Sequence, residues 1–279
     1  RTKSIKNIAK DIFFKYHRLK YYLSYDIPFW DSGLPSKKIT SFNTILQNIK
    51  SIALIGKGAS IFESDSLKLI RNCDYRVCLN SVDLENVRSK VGGFVDAQAT
   101  TQVSRVNSLM PVYPKTTINK FSIKTLICNN QRDYKNNLVL NDYFYYFNDR
   151  VDTICCLPSD NFYKIDLSLD KYNKGRITIA GSMIRVLVNM LDLKKIVFAG
   201  IDAFHYGYSY RKGIKSNDMF YYDINACSAD PLETHGKPFI EFLRDIMEIR
   251  NKISSLDIYI PLCLKENFNL PKKPYFKYY

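Results

Sequence analysis

The run Ile196-Val197-Phe198-Ala199 puts four apolar residues in succession and then stops at Gly200-Ile201-Asp202. A strand with one face in water alternates polar and apolar side chains, so an unbroken run belongs in a parallel sheet covered on both faces. That constraint directs the chain to an α/β fold. The residues before it agree. From Gly181 the apolar positions Met183, Val186, Leu187, Met190 and Leu191 recur at three- and four-residue spacing, which predicts an amphipathic helix with one core face. Lys194 and Lys195 fall near its expected carboxyl end, where cations are favoured. Ligands of open α/β sheets sit beyond the carboxyl ends of the strands. Asp202 and the loop carrying Phe204, His205, Tyr206, Tyr208 and Tyr210 are therefore where chemistry is expected.

A second strand, Ile52-Ala53-Leu54-Ile55, runs straight into Gly56-Lys57-Gly58-Ala59-Ser60, and a helical pattern extends from Ile61 to Ile70. Strand, glycine turn and helix can cradle a phosphate: the glycines permit close backbone approach, and amides at a helix start favour an anion. Ser60 and Glu63 also have capping-box spacing, a simpler use of the same residues. The G-x-G lacks the third glycine of a dinucleotide fingerprint and the G-K-[ST] of a P-loop. Further strands are expected at Tyr75–Leu79, ending at Asn80, at Phe94-Val95, ending at Asp96-Ala97-Gln98, and in the runs Thr125–Cys128 and Thr153–Cys156. Asn80, Asp96, Gln98, Asn129 and Asn130 would then stand at successive strand ends, as in a polar nucleotide pocket. Residues 211–234 are polar and aromatic, a natural lid. A helix resumes at Lys237, with Phe239, Ile240, Leu243, Ile246, Met247 and Ile249 on its apolar side, before a last strand, Ile258-Tyr259-Ile260.

The chain carries 41 Lys and Arg against 27 Asp and Glu, a net charge of +14. Such an excess suits nucleic acid, an anionic membrane surface or an anionic substrate. A nucleic-acid-binding protein is the rival of a different class, but no zinc pattern or RNP aromatic set accompanies the interleaved Lys and Tyr, so nucleic acid is not the expected partner. Residues 1–48 mix Lys and Arg with Ile, Phe and Tyr, and Pro28, Gly33 and Pro35 break the basic helical pattern before the first strand. They read as an extension that lies on anionic lipid or packs on the chain's own core. The carboxyl end, PKKPYFKYY, reads as an interfacial anchor or a disordered tail. No run of eighteen apolar residues occurs, and no signal-peptide core. Seven cysteines without a C-x-x-C pair argue against zinc and against a disulfide scaffold, and reduced, mostly buried thiols are expected. The domain plan is an extension over 1–48, one catalytic domain over 49–265 with a lid at about 204–236, and a basic aromatic tail over 266–279.

IALIGKGAS, then CLNS, then GRITIAGSM with its helix, then IVFAGID, then an isolated His before the final helix and strand resemble, in order and spacing, the bacterial CMP-sialic acid-dependent sialyltransferases of glycosyltransferase family 42. The resemblance runs from Ser51 to Cys263. It implies a single Rossmann-like nucleotide-sugar-binding domain, a GT-A-like variant with a mainly parallel central sheet, helices on both faces and a flexible lid. It further implies inverting transfer without a metal, with no cofactor beyond a donor, CMP-sialic acid or a related CMP-sugar such as another nonulosonic acid or Kdo. The acceptor would be a glycan of lipooligosaccharide or capsule type, and the place of work the cytoplasmic, inner face of a bacterial membrane, bound peripherally; a homo-oligomer is left open. The sequence has no D-x-D motif of the kind that holds a cation on a sugar nucleotide.

By this resemblance Gly56, Lys57, Gly58, Ala59 and Ser60 would receive the cytidine monophosphate, and Asn80 would match the nucleotide-binding asparagine; Gln98 and Asn129 are expected in the same pocket from their places at strand ends alone. Arg176 and Ala180-Gly181-Ser182 would correspond to the donor-binding R-I-T-S-G run. That run is one residue longer here, so Ser182 or Thr178 takes the role of the serine. His235 would be the general base, with His205 in reserve. An imidazole suits proton removal near neutrality. Tyr210 would hydrogen-bond the departing phosphate, while the family's partner tyrosine is replaced by Phe204, which has no hydroxyl; Tyr206 or Tyr208 could supply one, and Arg211 or Lys212 a charge. Asp202 is expected to orient the loop or bind a sugar hydroxyl.

Overall fold

The computed structural model describes residues 39–56, 58–79, 95–101, 123–129, 152–157, 165, 178–203, 232–268, 270 and 276–279. Nine strands among these form one sheet: β1 (Ile39–Ser41), β2 (Ser51–Ile55), β3 (Tyr75–Leu79), β4 (Ala97–Thr101), β5 (Thr125–Asn129), β6 (Thr153–Cys156), β7 (Lys195–Ala199), β8 (Asp257–Ile260) and β9 (Phe276–Tyr278). Their order is β1-β6-β5-β4-β3-β2-β7-β8-β9, and every neighbouring pair is parallel. The fold is α/β, as the unalternating runs predict. β2 is buried along its whole length and β7 over its last four residues.

From β2 the chain lays β3, β4, β5 and β6 outward to one side, then crosses back to place β7 on the other side of β2. The direction of winding reverses between β2 and β7. Ligands of open α/β sheets bind at such a switch point, in a crevice beyond the carboxyl ends of the strands.

The described helices are α1 (Phe42–Ile45), α2 (Ser64–Arg71), α3 (Ile179–Leu187), α4 (Lys237–Ile253) and α5 (Leu262–Phe268). Right-handed crossovers put α2 on one face of the sheet and α3 and α4 together on the other. The main core lies on the α3/α4 face. Leu54, in register with Val77 and Phe198, belongs to one cluster with Met183, Leu187, Phe239, Leu243 and Met247 there, and the Phe198 and Phe239 rings stand 6.1 Å apart. The opposite face buries Ala53, Ile55, Cys78, Leu126, Val197 and Ala199. The four cysteines whose side chains are described, Cys73, Cys78, Cys155 and Cys263, are buried and form no disulfide, and burial pushes Cys73 up to about 11.

Several expectations are corrected. All nine residues of α3 are buried, because α4 roofs the side that periodicity left to solvent. The helix also ends at Leu187, so Leu191 lies beyond it, 38% exposed, and Lys195 opens β7 instead of closing a helix. The strand expected at Phe94-Val95 begins at Ala97. Asp96 sets that start: its carboxylate accepts from the Arg76 amide at 2.8 Å while its own amide donates to the Arg76 carbonyl at 2.9 Å. Asp96 therefore precedes β4, and Gln98 lies inside it. Both edges of the sheet come from segments expected to be peripheral. The extension over 1–48 supplies β1 and α1, which Ser41 caps through the Thr44 amide at 3.2 Å. The segment over 266–279 supplies β9, with Phe276 buried, Lys277 paired to Asp257 at 2.5 Å, and the Leu262 amide bonded to the Tyr279 carbonyl at 3.0 Å. The rest of 1–48 and most of the expected lid lie outside the described residues.

Candidate functional site

Two loops meet at the switch point, one leaving β2 and one leaving β7. The Gly56 amide donates to the Ala199 carbonyl at 2.7 Å and the Gly58 amide to the Gly200 carbonyl at 2.7 Å, so the β2–β7 pairing continues past the strand ends. Glycine is required on both sides. A Cβ on Gly56 would collide with the Gly200 carbonyl oxygen, and one on Gly200, whose φ is +66°, would meet the Gly56 oxygen at 2.6 Å.

Gly58 is kept bare for another group. A Cβ there would lie 2.5 Å from Asp202 Cγ. Asp202 is 5% exposed, and its Oδ2 accepts from the Ser60 amide at 3.1 Å while its Oδ1 accepts from the Ser60 hydroxyl. Ser60 Oγ in turn accepts from the Gly200 amide at 3.1 Å. Ser60 thus clamps the two loops together, and the capping box with Glu63 does not form. Residues Ala59–Phe62 make a tight 3₁₀ turn, and α2 starts after Glu63 with no side-chain cap. Ser66 Oγ donates to the Ser60 carbonyl at 2.7 Å.

The surroundings of the Ser60–Asp202 pair are acidic. Burial raises the Glu63 carboxyl above the usual range, and the Asp202 and Asp65 charges raise it further. Tyr279 reaches in from β9, donating its hydroxyl to the Phe198 carbonyl and hydrogen-bonding Ser66. Its phenol is pushed up by burial, with Glu63 and Asp202 adding to the effect. Sequence reading missed Glu63, Ser66 and Tyr279 as neighbours of the site. An aromatic tail and a short helix carry no local signal that they converge on a glycine turn.

His235 sits in a π-helical turn, Leu232–Gly236, that leads into α4. Its position is dictated by Gly236: a Cβ there would collide with the Ala203 carbonyl oxygen, so this turn packs against the residue after Asp202. Ala203 takes a left-handed conformation, φ +47°, unusual for a residue with a side chain. Because α3 precedes β7 and α4 precedes β8, both helices run against their strands. Their amino ends face the same carboxyl edge of the sheet. At the start of α3, Thr178 Oγ1 accepts from the Gly181 amide at 3.3 Å, which makes it the helix cap, and Ala180, Gly181 and Ser182 are buried behind it.

The structure therefore brings together Gly56, Gly58, Ala59, Ser60, Asp202 and, through Ala203, the turn of His235, with Thr178 and Ala180-Gly181-Ser182 on the same edge. Gln98 is placed differently. It is buried within β4, in one row with Ile55, Cys78 and Leu126 on the α2 face, two strands or about 10 Å from β2. Asn129 is the last residue of β5, level with Thr101. Lys57, Asn80, Arg176, Phe204, His205, Tyr206, Tyr208, Tyr210, Arg211 and Lys212 lie outside the described residues. Among the described residues no three His, Cys, Asp or Glu side chains come together so as to hold a metal ion, and no helix is long and apolar enough to cross a membrane.

No protein-family model matches the chain, and neither does any curated protein. Among solved structures it is similar to the sialyltransferase CstII from Campylobacter jejuni in complex with the substrate analogue CMP-3FNeuAc, at 18% identity over 77% of this chain and 81% of that one, with a TM-score of 0.43. It is also similar to a mutant of the alpha-2,3/8-sialyltransferase CstII, at 16% identity over 79% of this chain and 84% of that one, with a TM-score of 0.48. A third similarity is to the same sialyltransferase in complex with a trisaccharide acceptor and CMP, at 16% identity over 77% and 82% of the chains, with a TM-score of 0.48. The fold class rests on the sheet order itself.

Proposed function

We propose that the chain is an inverting glycosyltransferase that moves sialic acid from CMP-sialic acid to a hydroxyl of a glycan acceptor, without a metal. One observation carries the reading: the packing of Gly236 on Ala203 sets the turn of His235 against the loop leaving β7. A candidate base thereby stands beside the loop leaving β7, at the edge where α/β sheets hold nucleotides. The order of motifs from Ser51 to Cys263 supports the choice of donor.

In this reading the cytidylate lies in the crevice over the two joined loops, beyond the carboxyl edge of the sheet. His235 removes the proton of the acceptor hydroxyl as its oxygen attacks the anomeric carbon. The bond from that carbon to the phosphate oxygen breaks, and its electrons leave on CMP. Attack and departure on opposite faces invert the configuration. Without a metal, the charge on the leaving phosphate falls to hydroxyls, amides and cations, Tyr210 first among them. Ser60 and Asp202 hold the β2 and β7 loops in register and so keep the crevice shaped.

A thermal-shift panel tests the donor. CMP raises the melting midpoint by several degrees at about 100 times its Kd, while UDP and NAD leave it unchanged. Stabilisation by UDP or NAD in place of CMP refutes the donor class. CMP release measured with CMP-sialic acid, another CMP-nonulosonic acid and CMP-Kdo then identifies the sugar. His235→Ala lowers kcat by about 10²–10⁴-fold with CMP binding retained; turnover equal to the parent protein's removes His235 as the base.

A further inference from the structure

We propose that Asp202 sets the number of phosphates the site accepts: its carboxylate fills the place at the glycine turn that a second phosphate would take, so the crevice admits a nucleoside monophosphate ester and disfavours diphosphates. This rests on the nucleotide reading above and assigns the charge selection to one residue.

Where a first strand turns through glycines into a helix, the freed amides ordinarily face a ligand's pyrophosphate. Here the Ser60 amide is already bonded to Asp202 Oδ2 at 3.1 Å, and the Ser60 hydroxyl to Oδ1. Gly58 is bare so that something can approach closely, and Asp202 Cγ, 2.5 Å from where its Cβ would stand, is what approaches. Both partners are deeply buried, Ser60 at 1% and Asp202 at 5% exposure, so a ligand could enter only by uncoupling a buried, hydrogen-bonded charge. Glu63 stands close enough to feel that charge, and its carboxyl is raised by burial and then by Asp202. A diphosphate would bring another negative group against the buried Asp202 carboxylate, with the half-buried Glu63 beside it, where like charges repel. A single phosphate can stay clear of it.

The measurement is calorimetric binding of CMP, CDP and CTP at one ionic strength to the parent protein and to Asp202→Asn, which keeps the shape and removes the charge. The parent protein binds CDP about tenfold more weakly than CMP and CTP more weakly again, and in Asp202→Asn the gap closes to about threefold or less. Ser60→Ala, which removes a donor but leaves the carboxylate in place, keeps the discrimination. Equal or tighter binding of CDP by the parent protein overturns the proposal without any variant, and so does an unchanged gap in Asp202→Asn with both affinities lowered, since the carboxylate would then only brace the loop. If the parent protein binds no cytidine nucleotide at all, the functional reading falls first and this proposal with it.

Discussion

At the scale of single residues, the glycines of the β2 turn are distinguished by what they face. Gly56 faces the backbone carbonyl of Gly200, which cannot move without breaking the continued β2–β7 pairing. Gly58 faces the end of a side chain. Gly56→Ala therefore costs more than Gly58→Ala, about 3 kcal/mol against about 2 kcal/mol, read from denaturant unfolding at constant m. The cost at Gly58 is the displacement of Asp202 from Ser60, so Gly58→Ala combined with Asp202→Ala falls short of the sum of the two single changes. Equal losses at the two glycines, or a strictly additive double variant, contradict this division of roles. The presence of both glycines was legible in the sequence. Their purpose was not, because a bare Cα permits close approach by ligand phosphate and by the chain's own carboxylate alike.

At the scale of elements, the sheet is held by devices at its strand starts as well as by its core. Asp74 precedes β3 and accepts from the Lys50 and Ser51 amides at 3.0 and 2.9 Å, while its own amide donates to Ser51 Oγ at 2.9 Å. Burial alone would raise this carboxyl, but the Ser51 hydroxyl and the two amides together hold it below its ordinary value. A depressed carboxyl stabilises the fold above its unfolded pKa of about 3.9, and that contribution is lost as pH falls through the lower folded value. Urea midpoints against pH should show a loss below about pH 4 that is smaller in Asp74→Asn, and a parallel curve for the variant rules this out. At one edge of the sheet, β9 is three residues long and lies outermost, yet Phe276 is only 2% exposed. Phe276→Ala costs about 3–5 kcal/mol by chemical denaturation; a loss under about 1 kcal/mol means that β9 is dispensable. Element boundaries were less legible than element types. The β4 start depends on an Asp96–Arg76 contact across twenty residues, and the all-round burial of α3 depends on α4, which periodicity within either segment cannot register.

At the scale of the whole molecule, sheet order decides where function can reside. Strands to either side of β2 wind away in opposite directions, so the winding reverses beside β2, and the amino ends of α3 and α4 are delivered to the same edge. The predicted stabilisation by CMP belongs to this scale, because a ligand held by both the β2 and β7 loops links the two halves of the sheet and shifts the unfolding of both. A parallel, doubly covered sheet is written into the amino-acid order alone: unalternating runs such as Ile52–Ile55 and Ile196–Ala199 have no other soluble place to go. The occupant of the glycine turn, in contrast, is settled only when the sheet has assembled. Ser60 and Asp202 are separated by 142 positions, and the hydrogen bonds that seat a carboxylate there exist only after β7 has docked beside β2, which no local pattern encodes.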